Sequence, residues 1–204
     1  MELLADRVAV GGAHGEVLAA TSLRVGPGAL AVVAGEPGAG HTAFGLAITG
    51  RLRPSAGTLS PGAGVLRARS ALVDAPGVSE PEGALRTADV VAEALVLAGR
   101  RGGRREVAAV LAEHGLDAAT RFEAVPARER IALLAGIARP DLLVLDTPDR
   151  HSGDPDTWWP TALHHAGQGR AVVVLCGAAT ARLLPVTPAL LGETDQPEPL
   201  ETVQ

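Results

Sequence analysis

A glycine-rich segment at residues 35–42 constrains the fold of this chain more than any other feature of its sequence. The segment reads Gly-Glu-Pro-Gly-Ala-Gly-His-Thr, so that two glycines enclose four residues and a hydroxyl side chain stands just beyond them. In a phosphate-binding loop of this pattern, the glycines let backbone N–H groups surround the phosphates and the hydroxyl group binds Mg²⁺. Such a loop joins a buried strand to a helix, and the pattern therefore predicts an α/β fold.

The sequence on either side of the segment meets this requirement. Residues 29–34 form a short apolar run, as expected for a buried parallel strand. Residues 42–48 are small or apolar, and no proline follows until Pro54, as expected for a helix whose N-terminal end favours anions. The predicted nucleotide-binding residues are Gly35, Glu36, Pro37, Gly38, Ala39, Gly40, His41, Thr42 and Ala43.

His41 stands where a phosphate-binding loop carries its lysine. All 18 of the Lys and Arg residues are arginines, so no lysine elsewhere in the chain can replace it. Losing a charged hydrogen bond to phosphate costs about 1.5–3 kcal/mol, part of which a protonated His41 would recover. The sequence therefore predicts a loop that binds a nucleotide with weakened affinity.

Two other interpretations of this segment are open. Residues 38–43 also fit the looser G-x-G-x-x-A pattern of dinucleotide-binding domains. That pattern needs an acidic residue about 20 positions later, whereas the segment around Ser60 has none and Asp74 comes too late. An ordinary turn is the remaining alternative, in a chain with 25 Gly and 15 Pro. The flanking strand and helix favour the phosphate-binding loop.

A second apolar strand supplies a candidate metal ligand. Residues 141–146 read Asp-Leu-Leu-Val-Leu-Asp, so that Asp146 stands at the tip of the strand. A carboxylate at the end of such a strand, downstream of the loop, is the usual partner of the phosphate-bound Mg²⁺. Thr42 and Asp146 are therefore the predicted Mg²⁺ ligands. The alternative is that Asp146 caps a turn.

Composition restricts the compartment and the partners. The net charge is −5 with no long basic run, which argues against a nucleic-acid partner. No apolar stretch approaches the roughly 20 residues of a membrane span, and the single cysteine, Cys176, excludes an internal disulfide and fits a reducing cytoplasm.

The order of the patterns predicts one domain at residues 1–192. It is an α/β fold with a P-loop NTPase core and a mainly parallel sheet, to which the opening residues add an antiparallel β flank. A helical insert is expected at about residues 76–138, with a helix from Ala127 to Ala138 between Pro126 and Pro140. Residues 193–204 are acidic and contain proline, which predicts a disordered tail.

Three further segments carry a resemblance to a known family. They are residues 17–28 before the loop, residues 50–59 after its helix, and residues 128–141, which lead into the strand that ends at Asp146. With the loop between them, they resemble the nucleotide-binding domain of ATP-binding cassette (ABC) proteins. The resemblance implies the ABC ATPase fold, ATP and Mg²⁺ as cofactors, and a separate membrane permease as partner. It also implies a homodimer or heterodimer and a cytoplasmic location, peripheral on the inner face of the cell membrane.

The chain departs from the family pattern where hydrolysis takes place. The signature LSGGQ would fall at residues 123–127, which read Glu-Ala-Val-Pro-Ala. Thr147 stands where the family has a glutamate after the metal-binding aspartate. The position of the family's glutamine is occupied by Asp74 or is absent, and the position of its histidine falls near Gly177. Losing a general base typically costs about 10²–10⁴ in rate. We therefore predict no catalytic residue and little or no hydrolysis.

These observations leave three functions of different kinds, one of which is the dinucleotide-binding domain considered above. The first is the ATP-binding subunit of an ABC-type transport system. The second is a non-enzymatic module that acts through protein contacts. The adjacent Trp158 and Trp159 suggest either a partner contact or the anchor of an amphipathic helix.

Overall fold

The computed structural model describes residues 1–202 of the chain. The strands are β1 (Leu3–Gly12), β2 (Gly15–Val25), β3 (Ala29–Gly35), β4 (Ala56–Ser60), β5 (Ser70–Val73), β6 (Leu142–Asp146), β7 (Ala171–Gly177), β8 (Ala189–Leu190) and β9 (Leu200–Glu201). The helices are α1 (His41–Ile48), α2 (Ala63–Arg69), α3 (Thr87–Leu97), α4 (Arg104–His114), α5 (Ala127–Ala138), α6 (Trp159–Gly167) and α7 (Ala178–Ala181). Short 3₁₀ helices occupy Phe122–Ala124, Pro148–Arg150 and Pro155–Thr157.

Two β-sheets form the frame of the molecule. The larger sheet has the order β5-β6-β7-β3-β8 with parallel neighbours, and β9 pairs antiparallel with β3. The smaller sheet is antiparallel, in the order β2-β1-β4. A mainly parallel sheet with an antiparallel flank confirms the predicted fold class.

The central strands form because they are apolar along their length. In β3, β6 and β7 nearly every residue is buried, as expected for parallel strands that are covered on both faces. One hydrophobic core, on one face of the sheet, includes residues of α3, α4, α5 and α6, and the core on the other face includes residues of α1, α2 and the antiparallel sheet. Both cores therefore support the loop that connects β3 to α1.

The helical part of the chain contains α3, α4 and α5, all within residues 76–138. Helix α5 covers the residues predicted for it: Pro126 precedes it, and the backbone turns into the left-handed region at Arg139, with φ 43°. Pro140, which follows, cannot continue the helix. The division into a domain at residues 1–192 and a tail stays a prediction.

The tryptophan pair belongs to the hydrophobic core. Trp158 is 0% exposed and Trp159 is 8% exposed, and their rings meet edge to face with centroids 6.2 Å apart. The suggested partner contact at this pair is therefore wrong, because neither indole presents a surface to a partner.

Residues 193–202 are held by hydrogen bonds rather than disordered, although most of them are exposed. Gln196 donates to the carbonyl groups of Leu190 and Glu193 and accepts from the Leu190 N–H, and β9 follows with its two pairs to β3. This corrects the expected disordered tail over those residues, because backbone pairing and the Gln196 side chain outweigh the polar composition. The last two positions of that predicted tail, residues 203 and 204, lie outside the described residues.

Candidate functional site

The glycine segment forms a loop at the carboxyl end of β3. Gly38 and Gly40 adopt φ values of 85° and 98°, in the left-handed region that favours glycine. A Cβ at Gly40 would lie 2.5 Å from the Val17 carbonyl oxygen, so β2 leaves no space for a side chain there. Ala39 donates its N–H to the Glu36 carbonyl oxygen at 3.0 Å, which closes the turn.

Helix α1 begins directly at the end of this loop. Gly40 is its N-cap, and no side chain caps the helix by a hydrogen bond. The first N–H groups of a helix have no partner within the helix. Their positive end therefore faces the loop, where it can receive an anion such as a phosphate group.

Thr42 and Asp146, the predicted metal ligands, lie side by side. The Thr42 hydroxyl donates to Asp146 Oδ2 at 2.7 Å. Strand β6, which carries Asp146, is not the immediate neighbour of β3, because β7 lies between them. The hydroxyl group at the start of α1 nevertheless reaches across to the tip of β6.

The electrostatics of Asp146 fit a cation. The residue is 1% exposed, and its Oδ1 atom is buried without a hydrogen-bond partner. Burial raises the pKa of Asp146 above its ordinary value, although the Thr42 hydrogen bond opposes this. A buried carboxylate oxygen that lacks a partner costs free energy unless water or a metal ion meets it. Oxygen ligands from a hydroxyl and a carboxylate suit Mg²⁺.

His41 makes a contact that the sequence did not predict. Its Nε2 atom lies 2.9 Å from the carbonyl oxygen of Cys176, so this nitrogen carries a proton and donates it to the end of β7. The imidazole is 9% exposed and packs over Gly35, where an added Cβ would lie 3.2 Å from its Cε1 atom. His41 therefore ties the loop to the sheet.

Cys176 itself contributes only its backbone. Its side chain is buried, and burial raises the pKa of the thiol to about 12. The thiolate is the reactive form of cysteine. A thiol with so high a pKa stays protonated near neutral pH, and we assign it no chemical role.

The segment after β6 holds a carboxylate that sequence reasoning missed. Thr147 turns the chain with φ 46°, and Asp149 Oδ2 then accepts the Gly177 N–H at 2.9 Å. Thr147 and Gly177 are the positions where the family pattern expects a glutamate and a histidine. A signal was present in the sequence, because Asp149 follows Asp146 by three residues, but the family pattern assigned it no role.

Asp74, at the expected glutamine position, is the centre of an ion-pair cluster. It is 5% exposed and pairs with Arg130 through two hydrogen bonds of 2.8 and 2.9 Å. His151 Nε2 lies 2.8 Å from its carboxylate, and Arg150 reaches both its carboxylate and Glu80. The cluster joins the end of β5, helix α5 and the segment after β6.

The acidic side chains of this cluster are neutralised by its own basic side chains. Burial acts to raise the pKa of Asp74, but hydrogen bonds from Arg130 and His151 hold that pKa well below its ordinary value. Ligand atoms of Asp74, Glu80 and His151 lie within 4.8 Å of one another, as a metal site would require. Two guanidinium groups already occupy this space, so we interpret the cluster as structural.

Residues 123–127, where the signature would lie, offer few donors to a nucleotide. A 3₁₀ helix ends at Ala124, and Pro126, which has no N–H, precedes α5. Just before them, Phe122 is 0% exposed and lies beneath Arg130, whose guanidinium carbon is 4.6 Å from the ring centroid. The segment is therefore anchored by its neighbours rather than shaped as a glycine-rich loop.

Comparisons place this fold among known structures, although no protein-family model and no curated protein matches the sequence. An ATP-binding subunit of an ABC transporter matches with a TM-score of 0.67 at 20% identity, covering 94% of this chain and 86% of that one. An ABC transporter ATP-binding protein from Pyrococcus furiosus gives 0.70 at 16% identity, with coverage of 93% and 96%.

A bacterial ABC transporter cassette, solved as a dimer, gives a TM-score of 0.68 at 15% identity and covers 98% of both chains. The chain therefore has the fold of the ABC ATP-binding cassettes, over nearly its whole length. None of the helices in residues 1–202 combines the length and the apolar character needed to cross a bilayer.

Proposed function

We propose that this chain is the ATP-binding subunit of an ABC-type transport system, with weakened ATP binding and little or no hydrolysis. The observation that carries the proposal is the contact between Thr42 and Asp146 beneath a glycine loop. It leaves Asp146 Oδ1 buried and without a partner at the place where a phosphate-bound Mg²⁺ is expected. The ABC cassette fold supports the same interpretation.

The residues divide the work of binding between them. Backbone N–H groups of residues 35–43, except Pro37, which has none, would receive the phosphates, and Thr42 and Asp146 would hold Mg²⁺. The ion would neutralise phosphate charge. Asp146 is fixed by its hydrogen bond and by its place at the end of β6, so little reorganisation is needed when the ion binds.

Two features of the site support weak binding and little hydrolysis. His41 takes the place of the lysine and is committed to the Cys176 carbonyl group, so it supplies no fixed ammonium to the phosphates. Thr147 has no carboxylate with which to polarise water. We therefore assign no catalytic residue.

The partners follow from this function. As an ATP-binding subunit, the chain would dock on a separate membrane permease at the inner face of the cell membrane. It would form a homodimer or a heterodimer, and one of the solved structures that share its fold is a dimer.

A second candidate is a non-enzymatic interaction module. The observation that favours it is the His41 contact, because a loop held closed by its own side chain has less need of a ligand. In this case the glycine loop would be a structural element. The third interpretation, a dinucleotide-binding domain, is not supported by a specific contact.

Calorimetric titration of ATP separates these candidates. For the ATP-binding subunit, ATP should bind with Mg²⁺ present and Asp146→Asn should remove most of the effect of Mg²⁺. The exposed Asp156→Asn is the matched control and should behave like the wild type. Hydrolysis should stay far below the usual enzyme scale of about 1 s⁻¹ or faster. No binding at millimolar ATP, even with Mg²⁺, would favour the interaction module.

A further inference from the structure

Two buried carboxylate oxygens lack a hydrogen-bond partner at the same end of the sheet. They are Asp146 Oδ1, at the tip of β6, and Asp149 Oδ1, in the 3₁₀ helix that follows. In residues 1–202, the other buried side-chain polar atom without a partner is Trp158 Nε1, which is a nitrogen. Each such atom destabilises the folded chain when it stays unsatisfied. Two such oxygens at one end of the sheet suit a cation or a water molecule bound to a cation.

Asp149 is placed at the candidate site by its other oxygen. Oδ2 accepts the N–H of Gly177, at the carboxyl end of β7. Strand β7 runs between β3, which carries the loop, and β6, which carries Asp146. The preceding residue, Cys176, accepts the hydrogen bond from His41. The Asp149 carboxylate therefore lies at the carboxyl end of β7, the strand between β3 and β6, along the edge where ligands bind in open α/β sheets.

The nearby cationic side chains are engaged elsewhere. Arg150 donates to the Asp74 carbonyl oxygen at 2.6 Å and to Glu80 at 2.9 Å. His41 donates to the Cys176 carbonyl group, and the chain has no lysine. Beyond the positive end of α1, a loop that binds phosphates at this edge of the sheet therefore has to take its positive charge from outside the protein.

We propose that Asp149 is a second carboxylate of the Mg²⁺ site and accepts a hydrogen bond from a water molecule bound to the ion. Bound Mg²⁺ usually keeps several waters and takes one or two protein carboxylates. Phosphate binding by this loop then depends on the metal ion more strictly than in a loop that has a lysine. This inference rests on the proposed function, because it assumes that the loop binds a nucleotide with Mg²⁺.

The test compares ADP affinity with saturating Mg²⁺ and with EDTA in the wild type and in Asp149→Asn. Asparagine keeps one oxygen to accept the Gly177 N–H and loses only the charge and the second acceptor. Partners of this kind typically contribute about 10–100-fold to metal affinity. We expect the gain in ADP affinity on adding Mg²⁺ to fall by that factor, while ADP affinity in EDTA stays the same or rises.

A direct metal readout accompanies the calorimetry. Mn²⁺ titrated into the ADP complex and followed by electron paramagnetic resonance should bind more weakly in Asp149→Asn, with Asp156→Asn as the unaffected control. A merely structural role would change affinity equally with and without the metal. If Asp149→Asn does not fold, Asp149→Glu keeps the charge but displaces it and should also reduce the Mg²⁺ effect.

Two negative outcomes are distinguishable. An unchanged Mg²⁺ effect and unchanged Mn²⁺ affinity in a folded Asp149 variant would overturn this inference and leave the proposed function standing. Failure of the wild type to bind ADP or ATP under any metal condition would overturn both this inference and the proposed function, because no phosphate would then be bound next to the ion.

Discussion

His41 is the residue at which the two candidate functions make opposite predictions. It occupies the lysine position, but its Nε2–H group donates a hydrogen bond to the carbonyl group of Cys176. For a nucleotide-binding loop, His41→Lys should tighten Mg-ATP binding by about 10- to 100-fold, because a charged hydrogen bond to phosphate contributes about 1.5–3 kcal/mol. Calorimetry at one pH, for the wild type and the variant, measures this difference.

The control for this substitution adds the same charge elsewhere. His164→Lys places a lysine on the exposed face of α6 and should leave ATP affinity unchanged. If His41→Lys binds ATP no better than the wild type and no better than His164→Lys, the loop does not present its phosphate-binding groups. The interaction module would then be the function to keep.

Three elements depend on the pair between Asp74 and Arg130, since the cluster joins β5, α5 and the segment after β6. The two side chains are 5% and 7% exposed. Breaking a buried ion pair by removing one partner typically costs about 3–5 kcal/mol. We expect Arg130→Met to lower the free energy of unfolding by about that amount. Chemical denaturation measures it, with the exposed Arg105→Met on α4 as the control.

The same pair gives these elements a defined acid sensitivity. The folded-state pKa of Asp74 lies below the ordinary value of about 3.9, so its stabilising effect is complete above that pH. It is lost as the pH falls toward the folded-state pKa, because the unfolded chain then binds the proton first. Stability of the wild type should therefore decline more steeply below about pH 4 than that of Arg130→Met. Equal slopes would show that Asp74 does not depend on Arg130.

The elements differ in how far the sequence could predict them. The loop, β6 and α5 were predictable because local signals agree with the fold: glycines at positive φ, a continuous apolar run, and prolines at both ends of a helix. Packing of β9 was not, because a polar segment carries no signal for the strand edge that it will cover. Trp158 was ambiguous for a similar reason, since local sequence does not say which side of a helix the core lies on.

Within the site, the contact between Thr42 and Asp146 was predictable from the sequence, whereas the contacts that cross the sheet were not. The loop and the apolar strand are each local patterns, and their order in the chain implies that they meet. The bonds from His41 to Cys176 and from Gly177 to Asp149 join residues far apart in the chain, and neither pair has a sequence pattern of its own. These atoms come together only because β3, β7 and β6 pair side by side in the parallel sheet.

At the scale of the whole molecule, association of two copies should not depend on nucleotide. The resemblance to ABC proteins implies that a nucleotide shared between two subunits takes donors from the signature segment of the opposite subunit. Residues 123–127 instead place an acidic side chain, Glu123, and a proline without an N–H, Pro126, in that segment. ATP bound in the loop would therefore gain no contact from a partner copy, and a carboxylate near its phosphates would be repulsive.

Sedimentation velocity with and without Mg-ATP tests this expectation, and the wild type should show the same distribution in both. A restored variant that combines LSGGQ at residues 123–127 with His41→Lys and Thr147→Glu is the positive comparison. Its dimer population should rise with Mg-ATP, because donors now face the phosphates. If the wild type dimerises on adding Mg-ATP, other residues bridge the nucleotide, and a working two-subunit cassette follows. If neither protein responds, the chain has the fold of the ABC cassettes but does not form a nucleotide site between two copies.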